Sequence, residues 1–136
     1  MQESEEYYME KFCFKTAKGP RAIGPYCTAV LYGDTVYMSG VIGVNPETGK
    51  PAEGGTLAQA RQVFENIKTI LDEIGLSLED VLKTTVFLTN LGDFAEVNKL
   101  YAEYFGPNYP ARSCVEVSAL PMGLSIEVEC IARNNK

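Results

Sequence analysis

Apolar residues recur at steps of three and four in two segments of the chain, and this spacing predicts two amphipathic helices. The first is expected over residues 56–74, with Gly75 at the position of a left-handed C-cap. Thr56 and Gln59 have the spacing of a capping box at its start. The second is expected from about Asp93 to Phe105, with Asp93 as its candidate cap and a Gly-Pro pair at its end.

The other apolar segments are short and rich in β-branched and aromatic residues, which predicts strands. A short first strand is expected around Cys13, and the remaining strands are expected at residues 26–32, 35–42, 81–89, 112–119 and 124–132. Gly33-Asp34 joins the second and third strands as a tight hairpin, and residues 45–51 form a turn-rich loop. The order β-β-β-α-β-α-β-β predicts a single α+β domain over residues 1–136, with both helices on one face of a single mixed sheet.

Alternation along the last two strands assigns side chains to the two faces of that sheet. In residues 112–119 we expect the face with Ser113 and Val115 to lie under the helices, and Arg112 and Cys114 to point the other way. In residues 124–132 we expect the apolar positions under the helices and Glu127 on the opposite face. That second face mixes charged and apolar residues, which predicts a symmetric homo-oligomer with polar pockets between protomers.

Charge and composition limit the partners and the kinds of catalysis that the protein can have. The chain has 136 residues, 12 basic and 18 acidic side chains, a net charge of −6 and no histidine. A negative chain disfavours nucleic-acid partners, which are held by a surplus of Lys and Arg. The lack of histidine excludes His-ligated metals and Ser-His or Cys-His nucleophiles.

Location is inferred from the terminus, the apolar runs and the cysteines. Residues 1–10 are acidic, lack a signal-peptide pattern and are expected to form a mobile arm. No stretch approaches the roughly 20 apolar residues of a membrane helix. The four cysteines lie among apolar residues without metal-type spacing, so reduced thiols in a cytoplasmic protein are expected. They are Cys13, Cys27, Cys114 and Cys130.

Arg112 is the strongest single candidate for a functional residue. It opens a strand directly after a loop stiffened by Pro107 and Pro110, and its planar guanidinium suits two-point binding of a carboxylate. The structural alternative is a salt bridge, for example with Glu116. Glu127 and Glu129 share a strand face and suit acid–base work if burial separates their pKa values; otherwise they are solvated charges.

Three further residues have a functional and a structural interpretation. Cys114 shares a face with Arg112, so it is either a thiolate favoured by that cation or a packed thiol. Tyr26 follows a Gly-Pro turn and either lines a site or packs. Asn98 lies at the edge of the second helix's apolar stripe, as a pocket contact or a boundary residue.

Several ordered blocks of sequence, taken together, resemble one known family from about residue 19 onward. The blocks are AIGPY (22–26), SG (39–40), NPETG (45–49), QARQVFENIKTIL (59–71), VLKTTVFLTNLGDFAEVN (81–98), PARSCVEV (110–117) and LSIEVECIA (124–132). They are similar to the reactive intermediate deaminases, also called the RidA, YjgF-like or L-PSP endoribonuclease family.

The resemblance implies a fold, an assembly and an activity. The family forms homotrimers of chorismate-mutase-like α+β subunits, with the sheets in a central barrel and sites in the interfaces. Its members hydrolyse 2-imino acids, the tautomers of enamines such as 2-aminoacrylate, to 2-oxo acids and ammonia without cofactor or metal. On this resemblance Arg112 binds the substrate carboxylate, Glu127 positions the attacking water with help from the Cys114 carbonyl, and Tyr26 lines the pocket. The remaining pocket positions match Ser39, Gly40, Asn98 and Cys114.

Two departures and two other functions stay open. The family often has Ser-Gln where this chain has Cys27-Thr28, and Gln where this chain has Val41. Both departures lie near the expected pocket and bear on substrate preference. The same Arg112 pocket also fits a regulator that binds 2-oxo acids without turnover. The third reading, an endoribonuclease or translation inhibitor, is disfavoured by the net charge and the missing histidines.

Overall fold

The computed structural model describes residues 10–134, so nearly all of the N-terminal arm predicted at residues 1–10 lies outside the described residues. The helices are α1 (Thr56–Ile74) and α2 (Phe94–Phe105). The strands are β1 (Phe12–Phe14), β2 (Ala29–Tyr32), β3 (Thr35–Ile42), β4 (Val81–Leu88), β5 (Ala111–Glu116) and β6 (Ile126–Arg133). Neither helix in this part of the chain is apolar over a length that would span a bilayer.

The six strands form one sheet in the order β1-β2-β3-β6-β4-β5. Strands β4 and β5 run parallel because α2 carries the chain back between them, and the other neighbours are antiparallel. Both helices pack on one face of this mixed sheet, as the element order predicts. Gly75 adopts the left-handed conformation at φ 91°, which confirms it as the C-cap of α1.

The core lies between the two helices and the sheet. Phe64 of α1 is fully buried and meets the α2 rings of Tyr101 and Phe105 edge to face, with centroids 5.9 Å and 5.7 Å away. On the sheet side the buried residues of β6 alternate as the sequence predicts: Ile126, Val128, Cys130 and Ala132. This packing fixes α2 over β4 and β5, where the candidate arginine lies.

The predicted capping box of α1 is wrong. The N-cap position is Gly55, and no side chain caps the helix. The Thr56 hydroxyl instead donates a 2.8 Å hydrogen bond to the Asp93 carboxylate, so Asp93 does not cap α2 with its side chain either. Gln59 Oε1 accepts from the backbone N–H of Ser125 at 2.8 Å. These polar residues therefore join the start of α1 to the start of α2 and to the segment before β6.

The predicted faces of β5 are also wrong. Arg112 stands in register with Thr84 of β4, which is completely buried under the helices. Neighbours in register point to the same side of a sheet, so Arg112 and Cys114 lie on the helix face. Val115 lies on the other face and is 42% exposed. Both sides of β5 mix apolar and polar residues, so only the register with β4 decides which side faces the helices.

The prediction of four reduced thiols is wrong for one pair. Cys13 and Cys27 form a disulfide with a Cα–Cα distance of 5.5 Å, while Cys114 and Cys130 are free. Cys13 pairs with Val30 across β1 and β2, and Cys27 lies two residues before β2 begins. The pairing of two strands thus brings together cysteines that are 14 residues apart in sequence.

Candidate functional site

Arg112 is held against α2 by one hydrogen bond and two aromatic rings. Its Nη1 donates to Asn98 Oδ1 at 2.6 Å, and its Cζ lies 4.8 Å from the ring centroid of Tyr101 and 5.4 Å from that of Phe94. Guanidinium groups are attracted to aromatic faces, so the rings fix the plane of the fork. The Tyr101 ring is itself held, because its buried hydroxyl pairs with Thr84 Oγ1 at 2.6 Å.

The guanidinium has no acidic partner in the part of the chain that the structure describes. No carboxylate of residues 10–134 lies within 4 Å of its nitrogens. Glu116, the predicted alternative partner, instead accepts a 2.9 Å hydrogen bond from the backbone N–H of Leu91. The donors of Arg112 beyond the Asn98 contact are therefore available to an anion.

Cys114 lies two residues further along β5, on the same face as Arg112. Its side chain packs against the hydrophobic core. Burial raises the pKa of the thiol, and the nearby Arg112 charge opposes this rise without cancelling it. Cys114 is therefore a neutral thiol at pH 7, and the predicted alternative of an activated thiolate is not favoured.

Glu127 lies on β6 directly over Gly40 of β3. A Cβ atom built on Gly40 would stand 2.8 Å from the Glu127 Cδ, so only glycine leaves room for the carboxyl group here. Burial raises the pKa of Glu127, and the negative charge of Glu129 raises it further. Glu127 is thus a stronger base than an exposed glutamate, and its carboxyl group lies beside the β3 backbone at Gly40.

A small cavity of about 40 Å³ adjoins Gly40, with room for a water molecule. Ser39 and Tyr26 also line it, and the Tyr26 side chain is 47% exposed. The Ser39 hydroxyl donates a 2.7 Å hydrogen bond to the carbonyl of Cys27, which fixes Tyr26's neighbour in the chain. Val41, one of the two departures from the family pattern, is buried and lines the same cavity.

The predicted site residues thus fall into two groups. The Arg112 group comprises Arg112, Asn98 and Cys114, with the rings of Phe94 and Tyr101. The Glu127 group comprises Glu127, Gly40, Ser39 and Tyr26.

The two groups lie on opposite faces of the sheet within one chain. On β4, Thr84 is in register with Arg112 and Phe87 is in register with Glu127. Residues an odd number of positions apart on a strand point to opposite sides, so these two side chains do not share a cavity in a single chain. Either group alone is half of the predicted site.

Sequence reasoning missed the contact of Arg112 with two aromatic rings. Phe94 and Tyr101 are seven residues apart on α2, a spacing that fits an apolar stripe facing the core. A basic residue in an adjacent strand is the only signal that such a stripe also holds a cation.

Among the described residues no cluster of three or more side chains is suited to hold a metal ion.

Comparison with known proteins identifies the class of protein. The sequence profile of the family described as Endoribonuclease L-PSP matches residues 16–134, nearly the whole described chain. The chain belongs to this family, the RidA or YjgF-like proteins. The sequence prediction of the family is thereby confirmed, and the structure confirms the predicted subunit fold of two helices on one mixed sheet.

Individual relatives are similar over most of their length. The human 2-iminobutanoate/2-iminopropanoate deaminase is 46% identical over 117 residues, covering 86% of this chain and 85% of the human protein. A RutC family protein of Pyrococcus abyssi is 48% identical over 124 residues, covering 91% and 98% of the two chains. The crystal structure of RidA from the Antarctic bacterium Psychrobacter sp. superposes with a TM-score of 0.86 at 48% identity, covering 90% and 98%.

Proposed function

We propose that this protein hydrolyses short 2-imino acids, such as 2-iminobutanoate and 2-iminopropanoate, to 2-oxo acids and ammonia. The observation that carries the proposal is the Arg112 guanidinium, which α2 holds in place while no carboxylate of residues 10–134 neutralises it. The 46% identity to the human protein named 2-iminobutanoate/2-iminopropanoate deaminase supports the same substrate class. Enamines such as 2-aminoacrylate are tautomers of these imino acids, and they are hydrolysed after they convert to the imine.

Arg112 binds the substrate carboxylate. Two parallel N–H donors of a guanidinium match the two oxygens of a carboxylate, and this grip fixes orientation as well as position. Asn98 holds one end of the fork, so the substrate is received by the other donors. With the carboxylate fixed, the adjacent imine carbon stands at one defined place, and such positioning supplies several kcal/mol of barrier reduction, of the roughly 7–11 kcal/mol attainable.

Glu127 acts on the attacking water. The carboxylate accepts a proton as the water oxygen bonds to the imine carbon, and it passes that proton to the nitrogen to give a carbinolamine. It then takes the hydroxyl proton of the carbinolamine and transfers it to the nitrogen as the C–N bond breaks. Ammonia leaves and the C=O bond forms, so one water is consumed and no electrons are exchanged. This sequence needs neither a cofactor nor a metal. The raised pKa of Glu127 suits it to both proton transfers near neutral pH.

The site is completed between subunits of a homotrimer. One chain places its Arg112 and Glu127 on opposite faces, so we pair Arg112 of one subunit with the Glu127 group of a neighbour. The sheet face away from the helices supports such an assembly, because no element of the described chain covers it. Its apolar residues include Tyr37, Phe87, Val115 and Ile131.

An imine assay with two Arg112 variants tests the proposal. A threonine dehydratase generates 2-iminobutanoate in solution, and the rate of 2-oxobutanoate release is followed with and without this protein. We expect acceleration by the wild type, and a kcat/KM roughly a hundredfold lower for Arg112→Lys, because a point charge cannot make the two-point grip. Arg112→Ala is the matched control that also removes the charge.

Four results would contradict the proposal. Wild-type protein without any acceleration would remove the activity, and tight 2-oxobutanoate binding alone would make the protein a binding regulator. An Arg112→Lys variant at the wild-type rate would remove the assigned role of the guanidinium. Cleavage of RNA that Arg112→Ala abolishes would instead support the endoribonuclease function.

A further inference from the structure

We infer that Cys13 and Cys27 form a reversible thiol–disulfide modification site that fixes the loop carrying Tyr26. Its effect on catalysis rests on the proposed function, whereas its effect on the loop does not. The disulfide joins the edge strand β1 to the residue directly after Tyr26.

The disulfide is the covalent link between two weakly held segments. Strand β1 has three residues and pairs only with β2 at the edge of the sheet. The loop between the cysteines includes Ile23, Gly24 and Pro25, which are all exposed. Closing a loop of this size restricts the conformations open to the chain, so the disulfide limits how far Tyr26 moves.

Cys27 is also hydrogen-bonded to Ser39, a member of the Glu127 group. Its carbonyl accepts the 2.7 Å hydrogen bond from the Ser39 hydroxyl, and the carbonyl of Thr28 accepts from the Ser39 N–H at 3.0 Å. Ser39 precedes Gly40, over which the Glu127 carboxyl group lies. A displacement of Cys27 therefore moves Tyr26 and Ser39 together, and both line the cavity beside Gly40.

The other end of the loop is anchored without the disulfide. The Glu73 carboxylate of α1 accepts hydrogen bonds from the Thr16 hydroxyl and from the backbone N–H groups of Ala17 and Lys18. Burial acts to raise the pKa of Glu73, but these hydrogen bonds and the Lys18 charge lower it overall, so the carboxylate stays ionised at neutral pH. Without the disulfide, the Tyr26 end of the loop is held by hydrogen bonds instead of a covalent link, namely those of Ser39 and the 3.0 Å bond from the Thr16 N–H to Thr28 Oγ1. Residues 16–18 stay in place.

The exchange chemistry needs a low-molecular-weight disulfide as oxidant. The thiolate of exposed Cys13 attacks one sulfur of that disulfide, forming a mixed disulfide and releasing one thiol. The Cys27 thiolate then attacks the Cys13 sulfur, and the second thiol leaves. Two protein thiols and one small disulfide thereby give one protein disulfide and two small thiols. In a reducing compartment, protein disulfides are usually of this transient, redox-sensing kind.

The two free cysteines, Cys114 and Cys130, exchange poorly with disulfides. Thiol–disulfide exchange is therefore confined to Cys13 and Cys27. Cys130 is buried in the core, and burial together with the Glu129 charge raises its pKa to about 12. The pKa of Cys114 is also raised by burial. Thiols held neutral at pH 7 react slowly with disulfides.

The test measures the loop and the activity separately. Purified protein is equilibrated with glutathione disulfide or with dithiothreitol, and disulfide content is read by intact mass after alkylation. Amide hydrogen exchange is then followed at residues 20–28 and at Ser39. We expect the reduced form to exchange roughly tenfold or more faster there, with α1 and β6 unchanged. The imine assay is expected to show a several-fold loss of kcat/KM on reduction.

The control is the double variant Cys13→Ser with Cys27→Ser, which should match the reduced wild type and ignore dithiothreitol. Equal exchange at residues 20–28 in both redox states, or no disulfide under the oxidant, would overturn the inference. Faster exchange on reduction with an unchanged kcat/KM would confirm that the disulfide fixes the loop and overturn its effect on catalysis. If neither form accelerates imine hydrolysis, the proposed function fails, and the exchange rates alone decide whether the disulfide fixes the loop.

Discussion

Asn98 Oδ1 lies 2.6 Å from Arg112 Nη1, so a residue of α2 sets the position of a guanidinium that β5 carries. The helix is placed in turn by Phe64, whose buried ring meets Tyr101 and Phe105. Core packing, helix position and the direction of the arginine fork are thus one connected arrangement.

Replacing Asn98 should affect substrate binding before it affects chemistry. In Asn98→Ala the fork loses its anchor, and a hydrogen bond to a charged group contributes about 1.5–3 kcal/mol, so we expect KM to rise roughly tenfold or more. Asn98→Asp is the matched variant, because its carboxylate pairs with Arg112 and competes with the substrate. In steady-state kinetics on 2-iminobutanoate, Asn98→Asp should therefore have a lower kcat/KM than Asn98→Ala. The reverse order would contradict the role given to Asn98.

The Tyr101 ring and the Tyr101 hydroxyl should have separable roles. Tyr101→Leu removes the ring beneath the guanidinium, and we expect a fall in kcat/KM of roughly three- to thirtyfold, as a cation–π contact of about 0.5–2 kcal/mol implies. Tyr101→Phe keeps the ring but leaves the buried Thr84 hydroxyl unpaired, at a cost of about 1–3 kcal/mol in the free energy of unfolding. Kinetics and denaturant unfolding of both variants check this, and equal activity of the two would show that the ring is not needed.

Gly40→Ala should disable the Glu127 group while leaving the fold intact. The added methyl group would stand 2.8 Å from the Glu127 Cδ, so the carboxyl group has to turn away from its place. We expect kcat to fall roughly a hundredfold, within the range for loss of a general base, with little change in KM because Arg112 is untouched. Circular dichroism confirms the fold, and a variant with wild-type kcat would show that Glu127 does not act from this position.

The pH dependence of kcat/KM should reflect the raised pKa of Glu127. The proposed base is the carboxylate, so activity falls as the pH drops through its pKa, and the acid limb should lie above the ordinary glutamate value of 4.5. Glu129→Gln removes a neighbouring negative charge that raises this pKa, and the acid limb should then move to lower pH. A limb that stays in place in Glu129→Gln would mean that another group titrates there.

The sequence predicts features that depend on local patterns. Both helices and the Gly75 cap follow from apolar spacing and a glycine, and α1 has the predicted bounds. The faces of β5 could not be read in the same way, because Arg112 and Val115 lie on sides that are both mixed. Their assignment depends on the register with β4, which is a contact between distant parts of the chain.

The candidate site shows the same limit. Arg112 and Glu127 were singled out from residue type and from the family resemblance, and the structure gives each a defined setting. The Cys13–Cys27 bond was missed because it requires the pairing of β1 with β2, which no local pattern encodes. The contact of Arg112 with Tyr101 was missed because the same ring packs in the core. Its position in the helix therefore gives no sign that it also contacts a cation.

Mixed assemblies of two inactive variants test the central proposal, a site shared between subunits. Arg112→Ala and Glu127→Gln are co-expressed with different tags, and native mass spectrometry confirms that both variants occur in one assembly. In a random equal mixture, about a quarter of the interfaces combine an intact Arg112 from one subunit with an intact Glu127 from the next. We therefore predict that mixing restores about a quarter of the wild-type rate per site. A mixed assembly as inactive as either variant alone would contradict a shared site.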